Sequence, residues 1–388
     1  MFWFFGGILA LIVGYFTYGR LIERLLRPDD RPTPAYALGD GVDYVPLPMW
    51  KNMLIQLLNI AGVGPVIGVI IGIKFGVKCF WIIPLGCIFG GAVHDCVAGF
   101  MSLRARGGNL PALTRWSLGR WYAQAYSVFV MVLLLLVVAV FVNVPAHLVE
   151  GLMPQTASLG VFWAAAAVIF LYYIVATLFP VDKIIGRIYP FFGALLLIGS
   201  LAMLGALSCE VVANPALLSE TEAFRAGMFH DQPVIPCLFV TIACGIISGF
   251  HATQSPIVAR TMQTERQARA TYYGMMIVEG VIAMIWAGVG MAVYNLFPEL
   301  MAKPATAALV TGTRHFLGSW MGGVTVVSVI VLAITSGDTA LRSLRLTLAE
   351  TLRVGQGAFY ARLMLCLPLI AAVVGLLWWS TQRAETFE

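Results

Sequence analysis

The sequence predicts an all-α integral membrane protein of about ten transmembrane helices, and three observations carry that prediction. Hydrophobic residues make up 60% of the 388 positions and charged residues only 11%, with a mean hydropathy of +0.88, whereas soluble domains carry about 25% charged residues. Apolar runs recur along the whole chain at the roughly 20 residues needed to cross a ~30 Å hydrocarbon core. The lysines and arginines are gathered in the short connections between those runs, so the net charge of +5 encodes topology rather than affinity for nucleic acid. The seven cysteines, Cys79, Cys87, Cys96, Cys209, Cys237, Cys244 and Cys366, lie in or beside apolar runs and show no CxxC spacing. That pattern argues against a disulfide framework or a zinc site.

The first run, 2–19, has no positive n-region and no small-x-small cleavage site, and its basic residues Arg20, Arg24 and Arg27 follow the apolar stretch. It reads as an uncleaved helix with its N-terminus outside. Further spans are expected near 53–73, 79–103, 123–143, 159–178, 188–208, 234–259, 272–295, 322–341 and 362–379. Alternate connections then hold eighteen of the 24 Lys and Arg residues on one side and six on the other. The positive-inside rule makes the richer side cytoplasmic in a bacterial-type inner membrane, and both termini face outward. The run LRSLRLTLAETL is expected to extend the 322 helix as an amphipathic segment beyond the membrane surface.

Two spans are interrupted. In NIAGVGPVIG, Gly62, Gly64 and Pro65 fall mid-span, where glycine permits unwinding and proline removes a backbone donor. Asn52, Gln56 and Asn59 precede them on one helical face. In CGIISGFHATQSPIVAR, Ser248, Gly249, His251, Gln254, Ser255 and Pro256 form a polar, helix-breaking patch. Inside lipid such interruptions survive only where they are buried in protein or line a polar cavity. Each is also open to a plainer reading as a packing kink. Counted from Met53, the breaks fall in the first and sixth helices. That placement is the mark of an inverted-repeat transporter with its site near the midplane, with a first repeat over 53–208 and a second over 234–380.

Other polar residues lie within spans. Gly86, Gly90, His94 and Ala98 form an i, i+4 stripe with Gly91, Asp95 and Gly99 beside it, which suggests a small-residue packing face. An ionisable residue at depth is a candidate for function, and Asp95, with His94 next to it, can take up a coupling proton or pair with a cation. Thr335, Ser336, Asp338 and Thr339 sit in the break-like TSGDT, whose hydroxyls suit a sodium ion or a proton path; bonding back to their own helix is the other reading. Glu279 is alone among apolar neighbours and is expected to face the bundle interior.

DGVDYVPLP (40–48), AGVGPVIG (61–68), GAVHD (91–95), SGFHATQSP (248–256) and TSGDTALRSLR (335–345), in this order, resemble the carbon starvation protein A family, CstA, over about residues 1 to 380. The resemblance implies a five-plus-five inverted repeat similar to the LeuT-like transporters of the amino acid–polyamine–organocation group, with an extra N-terminal helix. Against that pattern the second repeat is incomplete, with four helices, as in a short or truncated member. The family is implicated in uptake of peptides and, in some members, of pyruvate with protons. Carried over, residues 61–65 and 248–256 would line the substrate site, with Asp95 or the 335–339 hydroxyls near a coupling H⁺ or Na⁺. No cofactor, metal or nucleic-acid partner is expected, and the partners are the lipid bilayer and a peptide or small anionic substrate. A metal- or haem-dependent membrane enzyme and a passive channel are the competing classes; neither an HExxH nor a GxSxG motif occurs.

Overall fold

A computed structural model describes residues 1–152, 159–178, 185–230, 232–233 and 249–382. The helices in chain order are α1 (Phe2–Leu26), α2 (Met49–Ala61), α3 (Gly64–Phe75) and α4 (Cys79–Arg104). They continue as α5 (Leu110–Leu118), α6 (Arg120–Leu152), α7 (Leu159–Leu178), α8 (Ile185–Ala213) and α9 (Gly249–Ala259). The last three are α10 (Glu265–Leu296), α11 (Ala305–Leu352) and α12 (Phe359–Gln382). Among the described residues, 8 helices are long and apolar enough to cross a membrane, or 9 with the bent pair α2 and α3 counted as one span. These match nine of the ten expected spans. The other, 234–259, lies outside the described residues except for α9. The chain is an all-α, multi-pass membrane protein.

Lipid is as apolar as a leucine side chain, so helices in it associate by close packing rather than by a hydrophobic drive. The effect is clearest at α10, 89% of whose apolar window is enclosed by protein, against 22% for α12. Small residues make that enclosure possible. A Cβ on Gly288 would meet the Phe4 ring at 2.6 Å, one on Gly280 the Cys87 Sγ at 2.8 Å, and one on Gly290 the Ile70 Cα at 3.3 Å. Thus α1, α4 and α3 all press onto one helix. A second apolar cluster joins α6, α7 and α12 to the 333–344 stretch of α11. The outward faces are lined by Phe2, Trp320, Trp378 and Trp379, all exposed, as interfacial aromatics would be.

The sequence reading needs four corrections. TSGDT is not a break: Thr335–Thr339 are continuous helix, and the non-helical residue of α11 is Gly318, at φ 72° and ψ 178°. The patch from Gly249 to Pro256 is likewise helical within α9, and Ser248 lies outside the described residues. The packing stripe on α4 runs through Gly91, Asp95 and Gly99, which are buried, while Gly90 is exposed with nothing near its Cβ position. A π-helical turn at Cys87–Gly91 accounts for this, because each added residue rotates the downstream face by about 100°. The LRSLR segment is not a solvated face, since Arg342 and Arg345 are 1% and 0% exposed.

Arg342 Nη1 donates to Asp43 Oδ1 at 2.7 Å, and its Nη2 donates to the Ala176 carbonyl. Asp43 comes from the 40–48 loop, which Asp40 shapes by accepting bonds from the Val42, Asp43 and Tyr44 amides. Leu47 N in the same loop donates to Thr261 O at 2.9 Å, at the end of α9. Burial pushes the Asp43 carboxyl up, but the charges of Arg342, Arg345 and Arg260 outweigh it and hold the group below the usual carboxylate range. Its pairing therefore stabilises the fold fully above the unfolded carboxyl value near 3.9, and that contribution is lost as the pH falls through the lower folded value.

Two outcomes follow for stability in detergent. Asp43→Asn removes one partner of a buried pair, which costs about 3 kcal/mol, so its Tm should fall by about 5 °C at pH 7. That gap should begin to narrow below about pH 4, the unfolded carboxyl value, and close only once the pH passes the lower folded value at which Asp43 itself is protonated; an equal Tm at pH 7 would show that the pair holds nothing. Gly62 sits at φ 46° and ψ −149°, and a Cβ there would lie 2.9 Å from Phe141 Cζ. Gly62→Ala should cost about 1–3 kcal/mol, with Phe141→Leu relieving the clash but not the backbone strain; thermal unfolding of the single and double variants reads this out.

Candidate functional site

The site is built around the end of α2. A helix leaves its last four carbonyls without intrahelical donors, and inside lipid no water reaches them. At α2 two of these carbonyls are capped by side chains from other helices. Ser336 of α11 donates its hydroxyl to Leu58 O at 2.9 Å. His251 of α9 places Nε2 3.1 Å from Ile60 O. A carbonyl only accepts, so this nitrogen carries the proton and the imidazole is fixed as that tautomer or as the cation. α3 resumes beyond the break with a π-helical turn over Gly64–Gly68, in which Pro65 is buried, and the two halves meet at 51°.

Around this junction lies a set of fully buried polar groups. Gln56 Nε2 donates to Asp95 Oδ2 at 2.7 Å, tying α2 to α4. Thr339 donates to Asn59 Oδ1 at 3.1 Å, tying α2 to α11. His251 Nε2 is also 3.6 Å from Glu279 Oε1 on α10. Gln56, Asn59, Asp95, His251, Gln254 and Glu279 are each 0% exposed. Yet Gln56 Oε1, Asn59 Nδ2, Asp95 Oδ1, His251 Nδ1, both amide atoms of Gln254 and both carboxylate oxygens of Glu279 have no hydrogen-bond partner among the described residues. Leaving a buried polar group unpaired costs about 1–3 kcal/mol. So many in one place mark a region shaped for something other than stability.

The expected site residues fall into three groups. Gly62, Gly64, Pro65, His251, Asp95, Ser336 and Thr339 come together at the junction, and Gln254 is buried one turn along α9 from His251. Ser255 supports it, donating to His251 O at 3.2 Å while its own carbonyl accepts from Tyr272. Gly249 opens α9 in the described helix. The remainder lie apart. His94 points outward with its side chain 39% exposed, its Nδ1 3.8 Å from Asp95 Oδ1. Thr335 bonds back to Leu332 O at 2.9 Å. Asp338 faces α7, where it accepts from the Tyr172 hydroxyl at 2.6 Å.

The site also includes residues outside the sequence-based candidates. Gln56 and Asn59 shared a helical face in the sequence with nothing to show what they faced. Glu279 looked isolated because His251, its partner, lies on a different helix. Towards the Arg260 end, a crevice between Thr253, Pro256, Arg260 and Ser343 has a volume of about 10 Å³, room for one water. Beyond it Arg260 bonds Gly107 O at 2.8 Å and pairs with Glu350 at 3.4 Å, which closes that end.

Comparison with known proteins places this geometry. A family model described as carbon starvation protein CstA matches residues 1–168 and 161–315. A Haemophilus influenzae protein described as an uncharacterized membrane protein is 43% identical, with 76% of this chain and 92% of that protein covered. The peptide transporter CstA of Bacillus subtilis is 28% identical, covering 71% of this chain and 56% of that protein. For the peptide transporter CstA of Escherichia coli the figures are 26%, 90% and 59%. The chain thus spans little more than half the length of those two transporters. The motifs at 40–48, 61–68, 91–95, 248–256 and 335–345 meet at the α2 break or at the Arg342 end, and with a family model that covers most of the sequence, the chain belongs to the carbon starvation protein CstA family.

Proposed function

We propose that the chain is a secondary-active transporter of the bacterial inner membrane, N-terminus outside, that imports short peptides during carbon starvation under a proton or sodium gradient. The observation that carries this reading is the set of unpartnered polar atoms at a broken helix, which is where transporters of this architecture hold substrate and ion. The five-plus-five repeat, over 53–208 and 234–380 after the first helix, is part of the proposal. The relatives named as peptide transporters support a carrier rather than an enzyme.

The chemistry of the unpaired atoms favours a peptide over a monocarboxylate such as pyruvate. Gln56 Oε1, Asp95 Oδ1, Gln254 Oε1 and, on the neutral imidazole, His251 Nδ1 are acceptors, against the donors Asn59 Nδ2 and Gln254 Nε2. An ammonium group offers only donors, so an α-amino terminus is the natural complement. The N-terminus of α3 at Gly64 carries the positive end of a helix dipole and would serve the peptide carboxylate. Alternating access would move the α6, α7 and α12 cluster against the rest.

The test is uptake into proteoliposomes under an imposed proton gradient, with and without sodium. A labelled dipeptide should accumulate, and an N-acetylated dipeptide should compete at least tenfold more weakly. Accumulation of pyruvate without the dipeptide would overturn the peptide reading, and flux that never exceeds equilibrium would make the protein a channel. Gln254→Leu should raise the apparent KM at least tenfold while the protein still folds and inserts; wild-type KM in that variant would remove Gln254 from the site.

A further inference from the structure

We propose that the coupling cation is a proton carried by the Glu279–His251 pair, not by Asp95 or the α11 hydroxyls; this rests on the transport reading and names the group that loads. The two side chains come from different helices, α10 and α9, each 0% exposed and 3.6 Å apart. The groups that face Glu279 are His251 from α9 and, from α4, Asp95 and the Cys87 thiol, which packs against Gly280, the next residue along α10. No lysine or arginine among the described residues pairs with Asp95 or Glu279.

With both carboxylates ionised and the imidazole neutral, two uncompensated negative charges would lie in the most enclosed part of the bundle. Taking such charges out of water is strongly unfavourable, so the cluster holds a cation in its resting form. The hydrogen bonds say where. Asp95 already accepts the Gln56 amide at 2.7 Å. Glu279 accepts no hydrogen bond on either oxygen among the described residues, its nearest donor being His251 Nε2 at 3.6 Å. Sodium between the pair is disfavoured because His251 Nε2 faces Ile60 O and so carries a hydrogen, leaving no lone pair towards Glu279.

Loading is a simple exchange. A proton leaves hydronium and forms an O–H bond on a Glu279 oxygen, leaving water; release to the other side reverses it, with no electron transferred. One N–H links this event to the break. His251 Nε2 lies 3.1 Å from Ile60 O and 3.6 Å from Glu279 Oε1. When Glu279 is protonated, that N–H caps the α2 carbonyl. When Glu279 is ionised, it draws the N–H from Ile60 O and leaves the end of α2 uncapped. The proton state is thereby read directly by the backbone at the broken helix.

The experiment compares wild type, Glu279→Gln and Asp95→Asn in proteoliposomes by two assays, proton-driven dipeptide accumulation and gradient-free dipeptide counterflow. Glu279→Gln should lose accumulation at least tenfold while counterflow survives and becomes independent of pH between 5.5 and 8. Accumulation at the wild-type level in Glu279→Gln, or its loss in Asp95→Asn alone, overturns the assignment. Absence of counterflow in wild type overturns the transport reading itself, which keeps the two failures distinct. Wild-type protein gives an independent check should Glu279→Gln not fold. An apolar carbodiimide attacks buried protonated carboxyls, and peptide mapping should find it on Glu279, less as the pH rises; label on Asp95 alone, or dependence of accumulation on sodium without a proton gradient, overturns the proposal.

Discussion

A spanning helix that stops at Ala61 inside lipid must give its last carbonyls to donors from elsewhere, and much of the structure follows from that one constraint. Leu58 O takes the Ser336 hydroxyl and Ile60 O takes His251 Nε2. Each bond fixes the depth and rotation of another helix. Ser336 sets α11 so that Thr339 reaches Asn59, and His251 sets α9 so that Glu279 on α10 lies beside it. A straight α2 would need none of these side chains. Polar residues elsewhere in the bundle would then have no reason to sit at this depth.

The same bonds couple the two apolar clusters. α11 is the shared helix: its 333–344 stretch packs with α6, α7 and α12, while Val326, Val329 and Leu332 belong to the larger cluster around α10. Gly337 lies on the seam, where a side chain would collide with the Tyr173 hydroxyl and crowd Phe141. Phe141 also closes on Gly62. A change at the break is therefore felt at Phe141 and at the Ser336–Thr339 turn within one or two contacts. Packed helices of this kind have discrete arrangements rather than continuous ones, which is what the proposed switch in capping at Ile60 would act on.

Much of this was legible in the sequence, and the reasons for the rest are physical. Hydropathy finds spans because lipid forces satisfied, apolar helices, and the Gly62, Gly64 and Pro65 break is legible because those residue types have few other uses at depth. Asp95 was found by the same logic. Contacts between helices are another matter: nothing in a 3.6-residue period relates His251 to Glu279 or Asp43 to Arg342, since each pair is set by tertiary packing. TSGDT reads as a break because hydroxyls and glycine are weak helix formers in water, yet here the single Thr339 hydroxyl hydrogen has three acceptors within reach, the Thr335 and Ser336 carbonyls of its own helix and Asn59 Oδ1 across the junction. On α4 the buried face follows Gly91, Asp95 and Gly99 and leaves Gly90 exposed, because a single π turn, invisible in residue spacing, rotates everything after it.

The distribution of satisfied and unsatisfied polar groups is itself informative. At the Arg342 end, Asp43 holds Arg342, Arg260 meets Gly107 O and Glu350, and Asn52 and Thr261 bond each other at 2.7 Å. Asp43, Arg342, Arg260, Asn52 and Thr261 are buried, and each has a charged or polar partner in the fold, so the bonds mainly hold the structure together. Around the α2 break the burial is just as complete, yet Gln254, one turn along α9 from His251, has neither of its amide atoms paired among the described residues. Selection for stability alone would replace such a side chain with leucine, which fits a similar volume and leaves nothing unsatisfied. Gln254 is therefore best understood through a bound state in which its donor and acceptor are both used. The same reasoning extends to the lone pairs of Gln56 Oε1 and Asp95 Oδ1, which have no partner among the described residues.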